Sequence, residues 1–257
     1  MTSRGDAIIE RMYECLNLFS EPTKAWFKHA FNRPTEAQRQ AWPAIHSGGN
    51  VLVVAPTGSG KTLCAFLSAL DRLMAGGARS AGVDVHGETV ATESHAERRT
   101  VKKGSRKKTK RNVKVLYISP LKALGVDVTK NLELPLRGIS QQCEAMGLPV
   151  PDVEVAMRSG DSTPEQRRKI VSHPPDILVT TPESLFLLLT SKANSILADV
   201  ETVIVDEVHA VAGTKRGAHL ALSLERLDDM IGHPVQRIGL SATVNPVEEV
   251  ARFLGGS

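Results

Sequence analysis

The chain has 257 residues, a formal net charge of +4 and a hydrophobic fraction of 41%, which suit one large or two small domains with a real core. No apolar run is as long as a membrane span requires, and the N-terminus lacks the apolar core of a secretion signal. Cys15, Cys64 and Cys143 are widely spaced and form no CxxC pair, which argues against disulfides and zinc and favours a cytoplasmic protein.

The positive charge is concentrated in one segment. Residues 98–111 contain nine Lys and Arg residues and no acid, so that without them the net charge changes from +4 to −5. The basic character therefore does not describe the rest of the surface. A solvated loop is the favoured interpretation, because no aromatic residues interleave with the charges; a tethered phosphate-binding arm is the alternative.

Residues 1–50 are predicted to form N-terminal helices ahead of a main domain at 51–257. Apolar side chains recur at helical spacing over residues 6–20. Thr35 and Gln38 have the spacing of a capping box, which predicts a helix that begins at Glu36. From the residues alone, Gln38 suits this capping role and the reading of an adenine edge equally well.

A phosphate-binding loop follows the first predicted strand. The apolar residues 51–54 lead into APTGSGKT (55–62), in which Ala55 replaces the usual glycine. The glycines let backbone N–H groups turn inward, and the next helix directs its N-terminus at the same place. Lys61 is expected to reach the β- and γ-phosphates, and Thr62 to bind Mg²⁺. The other predicted loop contacts are Pro56, Thr57, Gly58, Ser59 and Gly60. A ligand-free strand–turn–helix is the alternative.

Beyond this loop, a helix is predicted from Leu63 to Met74, ending at the glycine pair 76–77. Residues 76–112 are polar and then basic, with no periodic apolar pattern, and are predicted to be a mostly disordered insertion. Helices are also predicted at the capped Thr163-Pro164 sequence, at 185–189, from Leu220 to Met230 and at 246–254.

Six apolar strands alternate with these helices, which predicts an α/β fold with a mostly parallel sheet covered by helices on both faces. The predicted strands lie near 51–54, 113–118, 153–157, 176–179, 200–205 and 235–240. A polar cluster follows each strand. Because ligands bind outside the carboxyl ends of parallel strands, we expect all six clusters on one edge, serving one site or two adjacent ones.

Asp206, Glu207 and His209 follow the fifth strand. A carboxylate there suits Mg²⁺ coordination through water, and Glu207 suits orientation or deprotonation of an attacking water. His209 is expected near the γ-phosphate. Three ordinary loop residues are the alternative interpretation. The cluster after the last strand, which could connect the nucleotide to a polymer-binding region, is Ser241, Ala242 and Thr243.

Two further strands are followed by a hydroxyl residue and a proline, the pattern of a capped helix start. A helix N-terminus on this edge is also an anion site, and two of them suit a polyphosphate backbone. Simple helix initiation is the alternative. The residues concerned are Ser119 with Pro120 and Thr181 with Pro182, and Lys122 and Arg158 could add charge.

The order of these motifs resembles a superfamily 2 helicase over nearly the whole chain outside 76–112. Phe31, Pro34-Thr35 and Gln38 resemble the Q motif, APTGSGKT motif I, SPLKAL (119–124) motif Ia, TTPES (180–184) motif Ib, DEVH (206–209) motif II and SAT (241–243) motif III. The sequence around these motifs, including PPDILVTTPESLFLLLTS, is similar to the bacterial large helicase-related (Lhr) family.

This resemblance implies a RecA-like domain of an ATP-dependent 3′-to-5′ DNA helicase or translocase linked to DNA repair, with RNA as the alternative polymer. It implies that Gln38 contacts adenine with Phe31, and that Ser119, Lys122, Thr181 and Glu183 belong to strand-contacting motifs. Helicases of this family need a second RecA-like domain, which supplies an arginine finger. Because none follows motif III here, we expect weak Mg-ATP binding, poor hydrolysis and no strand separation; a non-catalytic binding fragment is the alternative.

Overall fold

A computed structural model describes residues 13–80 and 111–255, except for the side chains of 76–80, 122–124 and 126. Its centre is a six-stranded, all-parallel sheet with the order β1-β6-β5-β2-β4-β3. The strands are β1 (Val51–Val54), β2 (Val115–Ile118), β3 (Val155–Arg158), β4 (Ile177–Thr180), β5 (Thr202–Val205) and β6 (Gln236–Ser241). All six predicted strands are confirmed, with their bounds within two residues.

Helices connect successive strands. They are α1 (Glu21–Ala30), α2 (Glu36–His46), α3 (Lys61–Ser80), α4 (Lys122–Ala145), α5 (Pro164–Ser172), α6 (Pro182–Leu189), α7 (Lys215–Ile231) and α8 (Val247–Gly255). Short 3₁₀ helices lie at Glu14–Leu18, Lys192–Leu197 and Val208–Ala210. The α/β fold with a parallel sheet is therefore confirmed.

Helices cover both faces of the sheet. Successive side chains of a strand point to opposite faces, so both sets of side chains are buried. Strand β2 illustrates this: Val115 and Tyr117 pack with α2, α3 and α4, whereas Leu116 and Ile118 pack with α6, α7 and α8. A strand buried on both faces has to be apolar throughout, as observed in the sequence.

The N-terminal helices pack on α3 and α4 through a third apolar cluster that includes Trp26, Phe27 and Trp42. The buried Asp71 carboxylate of α3 accepts hydrogen bonds from the backbone N–H (3.1 Å) and Oγ (2.6 Å) of Ser20. Gly138 of α4 lies directly under Trp26, since a Cβ placed there would be 2.1 Å from the Trp26 ring. Only glycine permits this approach.

The structure corrects two predicted helix boundaries. Helix α3 does not end at the glycine pair 76–77 but continues to Ser80; each glycine costs a helix about 1 kcal/mol, which its strongly buried first turns offset. Helix α7 begins at Lys215, five residues before the prediction, because Thr214 caps it by accepting from Gly217 N (3.0 Å). The first residues of α7 are mostly polar and lack apolar side chains at helical spacing, so the sequence pattern did not include them.

The predicted insertion is wrong at both ends. Residues 76–80 are helical, and Arg111 lies against the fold, with ion pairs to Glu154 (2.9 Å) and Asp176 (3.3 Å). The remainder, 81–110, lies outside the described residues, as do residues 1–12 of the first predicted helix. Among the described helices, none is both long and apolar enough to cross a bilayer.

We predict that Gly138→Ala destabilises the fold by about 1–3 kcal/mol, because overpacking against Trp26 outweighs the gain of about 0.5–1 kcal/mol in helix propensity. Urea unfolding followed by circular dichroism measures the change. Gly49→Ala is the matched control, since a Cβ there meets no atom within 4 Å. Equal stability of the two variants would contradict the close packing.

Candidate functional site

The phosphate loop lies between β1 and α3 and depends on two glycines with positive φ, Gly58 (+82°) and Gly60 (+81°). A Cβ at Gly60 would also lie 2.7 Å from the Gln38 amide nitrogen. Gly60 is therefore required by its backbone conformation and by its neighbour. Helix α3 begins at Lys61, so its N-terminal N–H groups face the loop.

Lys61 is buried within this loop. Its ammonium group donates to the carbonyl oxygens of Ala55 and Pro56, at 3.1 Å for Pro56. A phosphate is a stronger acceptor for an ammonium group than a neutral carbonyl. The lysine is thus held at the position where the sequence predicts phosphate, with acceptors that a phosphate can replace.

Thr35 and Gln38 join the start of α2 to the phosphate loop. Gln38 Oε1 accepts from Thr35 N (2.9 Å) and Thr35 Oγ1 accepts from Gln38 N (3.3 Å), which confirms the capping box. Thr35 Oγ1 also donates to Ser59 O (2.8 Å). Capping thus accounts for the Gln38 side-chain oxygen, and contact with adenine stays a prediction.

A cavity of about 450 Å³ opens beside the loop. Phe31, 40% exposed, lies at its wall and packs edge-on against Trp26 with ring centroids 5.7 Å apart. The cavity is mostly apolar, with a few polar groups, which suits a flat heterocyclic base. Its other lining residues include Gln38, Gly58, Gly60, Thr62, Leu63, Phe66 and Leu132.

The Asp206 carboxylate directly follows β5, as predicted, and it is buried. Its Oδ1 accepts from Glu207 N (2.9 Å), and its Oδ2 accepts from the Tyr117 hydroxyl. Burial raises the pKa of Asp206, while the Tyr117 hydrogen bond and the nearby Lys61 oppose that rise. Tyr117 was not singled out from the sequence; the hydroxyl in an otherwise apolar strand was the available signal.

Glu207 and His209 connect β5 to β6. Glu207 is a non-glycine residue in the left-handed region, with φ of 44°, a conformation that is uncommon outside constrained sites. His209 Nδ1 accepts from Ala242 N (3.2 Å) and lies 3.4 Å from Ser241 Oγ, whereas its Nε2 faces Glu207 Oε2 at 3.2 Å. These contacts bring together two predicted clusters, and Thr243 beyond them is exposed.

The cluster after β2 does not form the predicted cap. Ser119 Oγ donates to Leu121 O (2.9 Å), and α4 begins at Lys122, where Leu121 occupies the cap position without a side-chain hydrogen bond. The predicted Ser-Pro helix start is therefore wrong. Pro120 instead offers its carbonyl oxygen to Arg216 Nη1 (2.7 Å).

The cluster after β4 does form a cap: Thr181 accepts from Ser184 N (3.4 Å) and Pro182 opens α6. The exposed Glu183 forms a two-point ion pair with Arg216 of α7, in which Nη2 is 2.9 Å from Oε2. This hydrogen bonding lowers the pKa of Glu183. Arg216, which the sequence analysis missed, thus joins the clusters after β2 and β4.

Arg158, at the end of β3, is buried, and its Nη1 has no hydrogen-bond partner among the described residues. Its carbonyl oxygen accepts from Thr180 Oγ1 (2.8 Å), which fixes this strand end beside motif Ib. Burial and the nearby Arg167 lower the pKa of Arg158. A buried guanidinium nitrogen without an acceptor is costly, and an anion would relieve that cost.

Strand order divides this edge of the sheet into two halves. The predicted nucleotide-binding clusters follow β1, β6 and β5, which are neighbours; the predicted strand-contacting clusters follow β2, β4 and β3, also neighbours. The boundary lies between β5 and β2, where Tyr117 reaches Asp206. The clusters thus lie in two adjacent groups on one edge.

Comparisons with known proteins agree with this geometry. A model of the DEAD/DEAH box helicase family matches residues 35–251. The chain is 56% identical over 241 residues to the Lhr helicase/probable uracil glycosylase of Mycolicibacterium smegmatis, and 51% identical over 240 residues to the Lhr helicase/uracil glycosylase of Escherichia coli. These alignments cover 94% and 93% of this chain but 14% of each relative.

A solved structure is also similar: the Mycobacterium smegmatis helicase Lhr bound to ssDNA and AMP-PNP has a TM-score of 0.79 and 54% identity. The match covers 95% of this chain and 27% of that chain. The RecA-like fold and the similarity to Lhr helicases are thereby confirmed. The chain spans about a seventh of the length of the two curated relatives.

We predict that Asp206→Asn does not lower, and modestly raises, the melting temperature at neutral pH in EDTA. A raised carboxyl pKa means that the folded state binds the proton more tightly, so stability falls as pH rises from the usual aspartate pKa through the raised value. The amide of asparagine removes that cost, and each kcal/mol of stability gained raises the melting temperature by about 2–4 °C. Melting curves at several pH values test this, with the exposed Asp199→Asn as control. A variant less stable than wild type at neutral pH would contradict it.

Proposed function

Because this chain belongs to the DEAD/DEAH box helicase family, we propose that it is the ATP-binding motor domain of an ATP-dependent 3′-to-5′ DNA helicase or translocase. The observation that supports this most strongly is the arrangement of a glycine loop with the buried Lys61, the buried Asp206 carboxylate and the buried Arg158 guanidinium along one edge of a parallel sheet. The polarity and a role in DNA repair rest on the resemblance to Lhr helicases, as does action in the cytoplasm on the nucleoid.

In the proposed ATP site, the N–H groups around Gly58 and Gly60 and the Lys61 ammonium group bind the phosphates. The base lies in the cavity beside Phe31 and Gln38. This placement is supported by the contact between Thr35 and Ser59, because it ties the base-reading helix α2 to the phosphate loop. Binding of the base and of the phosphates therefore involves one connected surface.

We propose that Thr62 and Asp206 hold Mg²⁺. The donor set fits this ion, since a hydroxyl and a carboxylate provide hard oxygen ligands. No group of three His, Cys, Asp or Glu side chains among the described residues is arranged to hold a metal by itself. Mg²⁺ bound with a nucleotide takes most of its ligands from phosphates and water, so that few protein ligands suffice. When bound, the ion neutralises charge on the transferred phosphoryl group.

Glu207 is proposed to orient or deprotonate the attacking water, and His209 to hold Glu207 in position. The neutral His209 ring that accepts from Ala242 N through Nδ1 carries its proton on Nε2, which faces the Glu207 carboxylate. Through the same ring, Ser241 and Ala242 are coupled to the hydrolytic group. Movement at the end of β6 would therefore reach Glu207 through His209.

The other half of the edge is proposed to bind the DNA backbone. The buried Arg158 guanidinium, with one nitrogen free of partners among the described residues, and the capped N-terminus of α6 at Thr181 suit phosphates. Ser119, Pro120 and Lys122 lie at the next strand end. Glu183 supports this surface through Arg216, because a carboxylate would repel a phosphate if it faced one.

A second RecA-like domain is proposed as the partner that completes the ATP cleft, and the greater length of the relatives leaves room for it. An arginine finger of the kind such a domain carries is worth about 10³–10⁵ in turnover. We therefore expect the 257 residues alone to bind nucleotide and to hydrolyse it slowly.

We predict that Lys61→Ala weakens ATP binding at least about tenfold, because charge-assisted hydrogen bonds to phosphate are lost. Titration calorimetry measures the affinity, and circular dichroism shows whether the fold is retained. The exposed Lys192→Ala is the matched control and should bind as wild type does. Unchanged affinity in a folded Lys61→Ala variant would rule out the phosphate-loop assignment.

We predict that Arg158→Gln weakens binding of single-stranded DNA. The decrease of log affinity with log salt should become less steep by about one, because one phosphate contact is lost. Fluorescence anisotropy at several salt concentrations measures both, with the exposed Arg252→Gln of α8 as control. The same titration with RNA of matching sequence tests the preference for DNA. Equal slopes for both variants would remove Arg158 from the interface.

A further inference from the structure

We infer that Tyr117 is a positioning residue for the proposed hydrolytic site, whose hydroxyl orients the Asp206 carboxylate toward Mg²⁺. Tyr117 belongs to none of the helicase motifs identified in the sequence; it lies on β2, inside the sheet. The inference rests on the proposed ATP site and adds to it a residue from the strand that leads to the nucleic-acid-binding half.

The orientation of the Asp206 carboxylate is determined by two donors on different elements. Glu207 N, from the same loop, donates to Oδ1 at 2.9 Å, and the Tyr117 hydroxyl, from the neighbouring strand, donates to Oδ2. Rotation about the terminal torsion of an aspartate is otherwise broad. With one donor on each oxygen, the carboxylate plane is fixed, and each oxygen keeps lone pairs for a cation or its water ligands.

Tyr117 is itself held rigidly. Its side chain is fully buried, and its ring stacks on Phe66 of α3, with centroids 4.8 Å apart and an interplanar angle of 24°. Helix α3 is the helix that begins with Lys61 and Thr62. The ring stack therefore holds the Tyr117 hydroxyl, and with it the Asp206 carboxylate, in a fixed position relative to α3, which carries Thr62, the other proposed Mg²⁺ ligand.

The competing explanation is that Tyr117 is an ordinary core residue and that Asp206 only satisfies its hydroxyl. A buried phenol does require a hydrogen-bond partner. Phenylalanine would, however, fill the same space without that requirement, and the hydroxyl contacts the Asp206 carboxylate, which directly follows β5. The two explanations differ in one measurable respect: a core role affects stability, whereas a positioning role affects the dependence on Mg²⁺.

Tyr117→Phe, which keeps the ring stack and removes the hydroxyl, separates the two. Binding of a fluorescent ATP analogue to the full 257-residue chain is measured across a Mg²⁺ titration and in EDTA. We expect the Mg²⁺ concentration at half-maximal effect to rise about tenfold, as for the loss of one hydrogen bond to a charged group, with binding in EDTA unchanged.

Two further variants complete the test. Trp42→Phe removes another buried aromatic hydrogen bond, to Cys64 O (3.2 Å), and should lower only the melting temperature. In an Asp206→Asn background, Tyr117→Phe should cause no additional change, because the group that it positions is already absent. An unchanged Mg²⁺ dependence in Tyr117→Phe, or additive effects in the double variant, would overturn the role of Tyr117 alone. Absence of Mg²⁺-dependent nucleotide binding in the wild type would overturn the ATP site as well.

Discussion

A carboxylate buried at the end of the central strand β5 is the feature on which the rest of the site depends. Asp206 has lost most of its hydration, and that loss raises its pKa. Three groups offset the cost: the Glu207 N–H, the Tyr117 hydroxyl and the positive charge of Lys61. They come from three elements, so the carboxylate is stable only where the loop after β5, the strand β2 and the start of α3 meet.

The phosphate loop is likewise held by side chains from another element, the start of α2. Gly60 has a positive φ, and a Cβ there would lie 2.7 Å from the Gln38 amide nitrogen, so that the Gln38 side chain would have to shift. Gln38 is in turn held by its capping box with Thr35, which also donates to Ser59 O. The start of α2 and the glycine loop are therefore joined directly by hydrogen bonds, without an intermediate helix.

Sequence patterns predicted the strands and their common edge well, because strands buried on both faces are apolar throughout and parallel strands end on the same side. They could not predict which strand ends are neighbours. The contact between Tyr117 and Asp206 spans 89 positions, and that between Glu183 and Arg216 spans 33. The Ser119-Pro120 error has a local cause: the Ser119 hydroxyl donates to Leu121 O and does not accept from a helix N–H as a cap would.

The order of the strands divides the polar edge into two halves. Clusters after β1, β6 and β5 form one contiguous half, and clusters after β2, β4 and β3 form the other. Within the first half, His209 and Ser241 join β5 to β6; within the second, Arg216 joins the ends of β2 and β4. Across the boundary, Tyr117 hydrogen-bonds to Asp206. Together with the contacts of Glu207 to His209 and Asp206, these hydrogen bonds and ion pairs form a continuous series along the edge, from the end of β6 to the end of β4.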